Sequence, residues 1–170
     1  MSTALVRLVG AGDVLRLGPP IGHFALDTES DRDLLLVGGG TGWAPLKALV
    51  DQVARQGPPR RVDLFLGART EERFYDLADI RRMEQEHPWL TVVLAVSEDK
   101  ASPLEQGDVG DVVMRHGPWT SRDAYVAGSG PMVDDTVGRL AQHGLKQERI
   151  HTEVFAPSRQ SPSLDGEVTE

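Results

Sequence analysis

The sequence predicts an α/β fold in which a five-stranded parallel sheet carries helices on both faces. Three observations lead to this prediction. From Asp33 onward, short apolar segments alternate with segments whose apolar residues recur at helical spacing. Glycine-rich turns directly follow two of the strand segments, and Leu90–Val96 is apolar almost throughout, as in a strand buried on both faces. Such alternation implies a doubly wound sheet, whose ligands bind at the carboxyl ends of the strands.

Composition limits the classes of function. The chain has 170 residues, of which 39% are hydrophobic and 26% charged, as in a globular domain with a core. It has no cysteine, which excludes disulfides, thiolate metal sites and cysteine nucleophiles, and its five histidines are too dispersed for a metal site. The formal charge of −8 argues against nucleic acid and anionic membranes. Without a signal peptide pattern or a membrane-length apolar run, we expect a cytoplasmic protein.

The first half of the sheet is predicted from three strands and two helices. A strand beginning at Leu34 runs into glycines 38–42, and the following helix ends at Gly57-Pro58-Pro59. One face of that helix is apolar, with Leu46, Leu49, Val50, Val53 and Ala54 at helical spacing. The second strand is predicted at Val62–Gly67, the second helix from about Glu72 to Glu86, and the third strand at Leu90–Val96.

The second half continues the alternation after a polar interruption. Residues 97–110 are rich in turn formers, which indicates a surface loop or a lid, and a short helix is predicted from Asp111 to His116. The fourth strand, Ala124–Ala127, precedes the second glycine turn and a helix that ends at Gly144. The fifth strand is predicted at Arg149–Phe155.

The two ends of the chain differ from this pattern. Residues 1–30 contain two predicted short strands, 5–9 and 13–17, and a Gly-Pro-Pro turn, and two strands alone do not form a stable unit. Residues 31–157 form the predicted α/β domain. Residues 158–170 are polar and acidic and are expected to be a disordered tail.

The first glycine turn indicates a phosphate site. Gly39, Gly40, Thr41 and Gly42 join a strand to a helix in which Pro45 fits the first turn. Such a junction offers free backbone N–H groups, the positive end of a helix dipole and close approach without a Cβ. The alternative is a packing turn without a ligand, because Trp43 stands where the common dinucleotide fingerprint has its third glycine.

Two further segments belong to the same edge of the predicted sheet. Arg69 follows the second strand, and Gly128, Ser129 and Gly130 follow the fourth. The carboxyl ends of parallel strands share one edge, so three candidate ligand segments are expected together. Trp43 and Trp119 are interpreted as core residues rather than stacking platforms.

The motifs together resemble the ferredoxin–NADP reductase superfamily. They are Val37–Gly42 with Pro45, Gly67–Arg69, Tyr125–Met132 and His151–Phe155, in that order. The likeness is strongest to the reductase part of flavohaemoglobins and to the reductase components of bacterial oxygenases, and it covers residues 12–157. The resemblance implies a ferredoxin reductase-like NAD(P)-binding domain. It also implies hydride transfer to FAD and onward electron delivery to a haem globin or an iron–sulfur protein.

The resemblance also implies roles for single residues. Gly39 to Gly42 and Pro45 would hold the pyrophosphate, and Arg69, with Arg73 as a weaker candidate, would meet the ribose or a 2′-phosphate. The nicotinamide side would be lined by Ala127, Gly128, Ser129, Gly130 and Met132. Ser129, Glu153 and Phe155 are the candidate catalytic residues, Phe155 packing beside the flavin. Arg69 could instead be a solvated arginine, and Met132 and Phe155 could be core residues.

The sequence departs from that family in two places. Residues 1–30 resemble only the end of the flavin-binding barrel and the hinge after it, so FAD would come from missing sequence or a partner. Ala127 stands where family members carry a cysteine that helps to hold the nicotinamide. The alternative function is therefore a truncated, non-catalytic nucleotide-binding or interaction module.

Overall fold

The structure is a computed structural model and describes residues 7–16, 18–19, 22–57 and 59–155. Within these residues six strands form one parallel sheet: β1 (Leu34–Gly39), β2 (Val62–Ala68), β3 (Leu90–Val96), β4 (Glu105–Gln106), β5 (Asp123–Ser129) and β6 (Ile150–Phe155). The α-helices in this part of the chain are α1 (Trp43–Arg55), α2 (Leu77–Glu86), α3 (Val109–His116) and α4 (Gly130–Gln142). The predicted α/β fold with a parallel, doubly wound sheet is confirmed.

The strand order β4-β3-β2-β1-β5-β6 creates a switch point. The chain builds outward from β1 to β4 and then returns to place β5 on the other side of β1. The connections that leave β1 and β5 therefore diverge at the carboxyl edge, where ligands of such sheets bind.

Two cores hold the helices on opposite faces of the sheet. The side chains of β1 alternate between these cores, and its residues Leu34–Val37 are completely buried. Leu34 and Leu36 belong to the core beneath α1 and α2, together with Trp43 and Ile80. Leu35 and Val37 belong to the core beneath α3 and α4, together with Val113 and Leu140. Because β1 is sealed on both faces, its glycine turn is fixed in position.

The sheet has one strand more than the five predicted. The additional strand, β4, has two residues and lies in segment 97–110, which was interpreted as a loop or lid. It pairs only with Ala95 and Val96. The prediction that β3 is buried on both faces was wrong. Thr91 is exposed, and residues 92–94 are only half-buried. A two-residue neighbour leaves most of that strand at the edge of the sheet.

The second helix begins later than predicted. Residues 71–73 form a separate 3-10 turn, and α2 starts at Leu77. Between them Asp76 adopts a left-handed conformation with φ of 58°, which interrupts the helical path. The other three helices agree with the prediction within a few residues.

The expected pair of N-terminal strands is not found in the described residues 7–16, and none of the described residues before Leu34 belongs to a strand. Leu5, Val6, Leu17 and the predicted tail lie outside the described residues. The flavin-barrel remnant and the boundary at residue 31 therefore stay predictions. Within the described part of the chain, no helix is both long and apolar enough to cross a membrane.

The segment before β1 is anchored at the amino end of β5. The Asp27 N–H donates a hydrogen bond of 2.8 Å to the hydroxyl of the fully buried Tyr125. Ser30 donates to the buried carboxylate of Asp123, which also lies 4.0 Å from a guanidinium nitrogen of Arg60. Phe24 packs edge-on against the Tyr125 ring at 5.6 Å. The chain leading into the sheet is thus fastened to the strand that carries the second glycine turn.

Candidate functional site: the carboxyl edge of β1 and β5

The first glycine turn joins β1 to the start of α1. Residues Gly40–Gly42 form a 3-10 turn between β1 and α1, and the N-cap positions of this turn and of α1 are glycines, Gly39 and Gly42, which have no side chain to cap them. Gly40 has φ of 54°, and the space where a Cβ would stand is open. Thr41 is exposed beside it. A helix N-terminus that begins with glycines and has an exposed hydroxyl nearby suits an anionic ligand.

The two glycine turns touch through their backbones. A Cβ on Gly42 would stand 2.0 Å from the Ala127 carbonyl oxygen and 3.1 Å from the Gly128 nitrogen. The sulfur of Met132 would lie 2.9 Å from a Cβ on Gly39 and 2.7 Å from one on Gly128. The half-buried Met132 side chain therefore packs over both turns, and at Gly42, where a Cβ would meet backbone atoms, no larger residue than glycine fits.

The second turn leads from β5 directly into α4, without the 3-10 turn that follows β1. Ser129 ends β5, is exposed, and occupies the N-cap position of α4, although its side chain makes no capping hydrogen bond. Gly130 opens the helix, followed by Pro131. Ala127, predicted to line the nicotinamide, is completely buried in the core beneath α1. Its contribution to the edge is its backbone carbonyl rather than its methyl group.

The end of β6 lies beside the second turn. In the parallel register Ala127 is level with Glu153 and Ser129 with Phe155. Glu153 and Phe155 are half-buried, whereas Val154 between them is 52% exposed. The three candidate catalytic residues therefore lie together, and Phe155 is neither a fully buried core residue nor fully solvated.

The end of β2 carries the two predicted arginines. Arg69 is exposed, and its Nε lies 3.6 Å from a carboxylate oxygen of Glu98 at the end of β3. Arg73 belongs to the 3-10 turn before α2.

Asp63 lies at the opposite, amino end of β2, where Arg122 binds it at 2.8 Å. Burial raises the pKa of Asp63, and the charge of Arg122 opposes that effect.

A crevice between the ends of β1 and β2 was not predicted. Its lining comes from both strand ends, from α1 and from the segment before α2: Gly38, Gly40, Trp43, Leu66, Gly67, Arg73, Phe74, Tyr75 and Ile80. Burial raises the pKa of Tyr75, while hydrogen bonding with the Ala44 backbone acts in the opposite direction. One helix was predicted from about Glu72 to Glu86. The sequence therefore gave no indication that Phe74 and Tyr75 line a cleft.

The structure thus brings nearly all predicted residues to one edge. Gly39–Gly42, Gly128–Gly130 and Met132 surround the switch point, Glu153 and Phe155 extend it toward β6, and Arg69 and Arg73 extend it toward β2. Pro45 lies half-buried within the first turn of α1.

Comparison with known proteins identifies this arrangement. The sequence model of the oxidoreductase NAD-binding domain matches residues 36–138, which include both glycine turns. The chain belongs to this family. It is 30% identical over 154 residues to the reductase component of propane 2-monooxygenase from Rhodococcus jostii, covering 86% of this chain and 42% of that protein. It is 28% identical to reductase component 1 of terephthalate 1,2-dioxygenase from Comamonas, covering 92% and 47%.

Solved structures agree with this assignment. The Amycolatopsis cytochrome P450 reductase GcoB superposes with a TM-score of 0.76 at 29% identity, covering 82% of this chain and 43% of that one. The flavohem-like FAD/NAD-binding domain of nitric oxide dioxygenase from Vibrio cholerae gives a TM-score of 0.81 at 24% identity, covering 92% and 64%, and supports the fold. This NAD-binding domain spans less than half the length of the oxygenase reductase components that it matches.

Proposed function

We propose that the chain is the NAD(P)H-binding half of a flavin-dependent reductase. The observation that carries this proposal is the backbone contact between the two glycine turns at the switch point. That contact places the N-termini of α1 and α4 side by side on the edge where dinucleotides bind, and neither N-cap residue makes a capping hydrogen bond. The pyrophosphate would lie on Gly40–Gly42, with the hydroxyl of Thr41 as an additional donor.

The two ends of the dinucleotide would extend in opposite directions along the edge. The adenosine ribose would lie toward β2, near Arg69 and Arg73. The nicotinamide would lie toward β5 and β6, beneath the turn of Gly128–Gly130. NAD(P)H supplies the hydride, and the protein supplies orientation and exclusion of water. Phe155 and Glu153 would support the ring of a flavin beside Ser129.

The flavin and the final acceptor lie outside the residues that carry this site. We propose that FAD is held by a flavin domain, from further sequence or a partner chain, since the oxygenase reductase components are more than twice as long as the matched region. Because those relatives are parts of oxygenase systems, we propose an iron–sulfur or haem protein as acceptor. We expect this transfer to take place in the cytoplasm.

The test is an absorbance spectrum of the purified protein, taken before and after FAD addition and desalting, followed by dye reduction with NADH and NADPH. Retained flavin and turnover are expected when the assay also contains the proposed flavin domain, from further sequence or from the partner chain. Nicotinamide binding without turnover under the same conditions would favour the alternative, a non-catalytic binding module. The buried alanine at position 127 is the observation that supports that alternative.

A further inference from the structure

Trp43 carries a buried hydrogen-bond donor without an acceptor. It is the first residue of α1, and its side chain is 3% exposed. Its indole Nε1 is fully covered and finds no hydrogen-bond partner among the described residues. A buried N–H that lacks an acceptor disfavours the folded state, because the same group is hydrogen-bonded to water in the unfolded chain.

The second buried tryptophan, Trp119, has a backbone acceptor for its indole N–H. Trp119 is also buried, in the core on the other face of the sheet, and its Nε1 donates a hydrogen bond of 2.8 Å to the Val113 carbonyl oxygen. The fold therefore satisfies one buried indole with its own backbone and leaves the other unsatisfied. Phenylalanine or leucine at position 43 would fill an apolar core without stranding a donor.

The position of Trp43 gives this donor a use. Trp43 lines the crevice between the ends of β1 and β2, with Gly40 of the first glycine turn and with Arg73 and Tyr75. The crevice lies on the β2 side of the switch point, away from the turn after β5. A ligand oxygen that opens the crevice as it binds would complete the hydrogen bonding of the indole.

We propose that the Trp43 Nε1–H donates a hydrogen bond to an oxygen of the ribose–phosphate in the adenosine half of the dinucleotide. The inference rests on the proposed function, because it assigns a further donor to the same site. An indole N–H is neutral and donates only, so it serves hydroxyl and phosphate oxygens alike.

The direct test is the indole region of a ¹H–¹⁵N spectrum of the whole chain, which contains three tryptophans. Trp43→Phe and Trp89→Phe assign the signals. With ADP-ribose or 5′-AMP, the Trp43 indole proton is expected to move downfield and to exchange more slowly with solvent. The Trp119 signal is expected to stay unchanged, as is the Trp43 signal with nicotinamide mononucleotide.

Affinity gives a second measurement. Loss of one neutral hydrogen bond is expected to weaken ADP-ribose binding by Trp43→Phe roughly 3- to 10-fold. Trp89→Phe, a matched change at the amino edge beside His87, is expected to bind like the unaltered chain. An indole with a purely structural role would lower the unfolding midpoint in Trp43→Phe and leave affinity unchanged, which would overturn the inference.

The spectrum also separates the two proposals. If ADP-ribose shifts the backbone amides of Gly40–Gly42 but not the Trp43 indole, the inference is overturned and the proposed function stands. If no signal moves at millimolar ADP-ribose, both are overturned. Should Trp43→Phe fail to fold, Trp89→Phe and Trp119→Phe assign the three signals, and the spectrum of the unaltered chain still decides.

Discussion

Gly42 shows how a single residue is fixed by a distant part of the chain. The sequence predicts it as a phosphate-loop glycine, chosen for backbone freedom. In the structure its φ is −61°, which any residue can adopt, and the requirement for glycine comes from the Ala127 carbonyl oxygen. Because strand pairing between β1 and β5 creates this contact, the local sequence cannot reveal it.

Gly42→Ala is therefore expected to destabilise the fold rather than only the ligand site. A Cβ placed 2.0 Å from a backbone oxygen forces two strands apart, at a cost of about 2–3 kcal/mol or more. The free energy of unfolding from urea titrations measures this cost. Gly138→Ala is the matched control, since its Cβ would meet no atom within 4 Å and helix propensity favours alanine by about 1 kcal/mol. Equal stability of the two variants would contradict the account.

At the scale of the element, β5 links the candidate site to the segment before β1, which it holds by hydrogen bonds. Its amino half carries Asp123 and Tyr125, which hold residues 27 and 30. Its carboxyl half carries Ala127 and the second glycine turn. The sequence predicts this strand from its apolar run, yet it gives no sign that a buried tyrosine hydroxyl serves a backbone amide nearly a hundred residues away.

Tyr125→Phe is expected to loosen the anchored segment while the sheet remains intact. The variant removes only the hydroxyl and leaves the Asp27 N–H without its acceptor, which costs about 1–2 kcal/mol. Limited proteolysis should then cut residues 22–33 faster, with an unchanged circular dichroism spectrum. Tyr75→Phe changes the other tyrosine of the chain, which is 41% exposed, and should behave like the unaltered protein. Equal cleavage in both variants would argue against the anchor.

The short strand β4 is held by a charge cluster that titrates in acid. Hydrogen bonds from Arg115, at 2.8 Å, and from His116 lower the pKa of Glu105 below its usual value of 4.5. Folding therefore favours the ionised form, so the contact stabilises above the usual value and is lost as pH falls through the lowered one. NMR titration should show the amides of residues 105–107 shifting with a midpoint below 4.5. Glu105→Gln should abolish this transition, and a midpoint above 4.5 would contradict the assignment.

At the scale of the whole molecule, regular alternation of apolar strands and amphipathic helices was enough to predict the doubly wound sheet. The strand at the sheet margin could not be predicted in this way, because the two residues of β4 are too few to show an apolar repeat. The edge that gathers the glycine turns was predicted from the parallel topology. The crevice of Trp43 and Tyr75 was not, since it depends on the left-handed Asp76 that separates the 3-10 turn from α2.

The central claim is that this edge binds a nicotinamide dinucleotide, and calorimetric titration of the chain with NADH tests it most directly. Thr41→Ala removes an exposed hydroxyl beside the proposed pyrophosphate and should weaken binding roughly tenfold, as expected for a hydrogen bond to a charged group. Thr120→Ala, the same change at an exposed position near the amino end of β5, should bind as the unaltered chain does. Binding that is absent from the unaltered chain, or equally tight in all three proteins, would contradict the account.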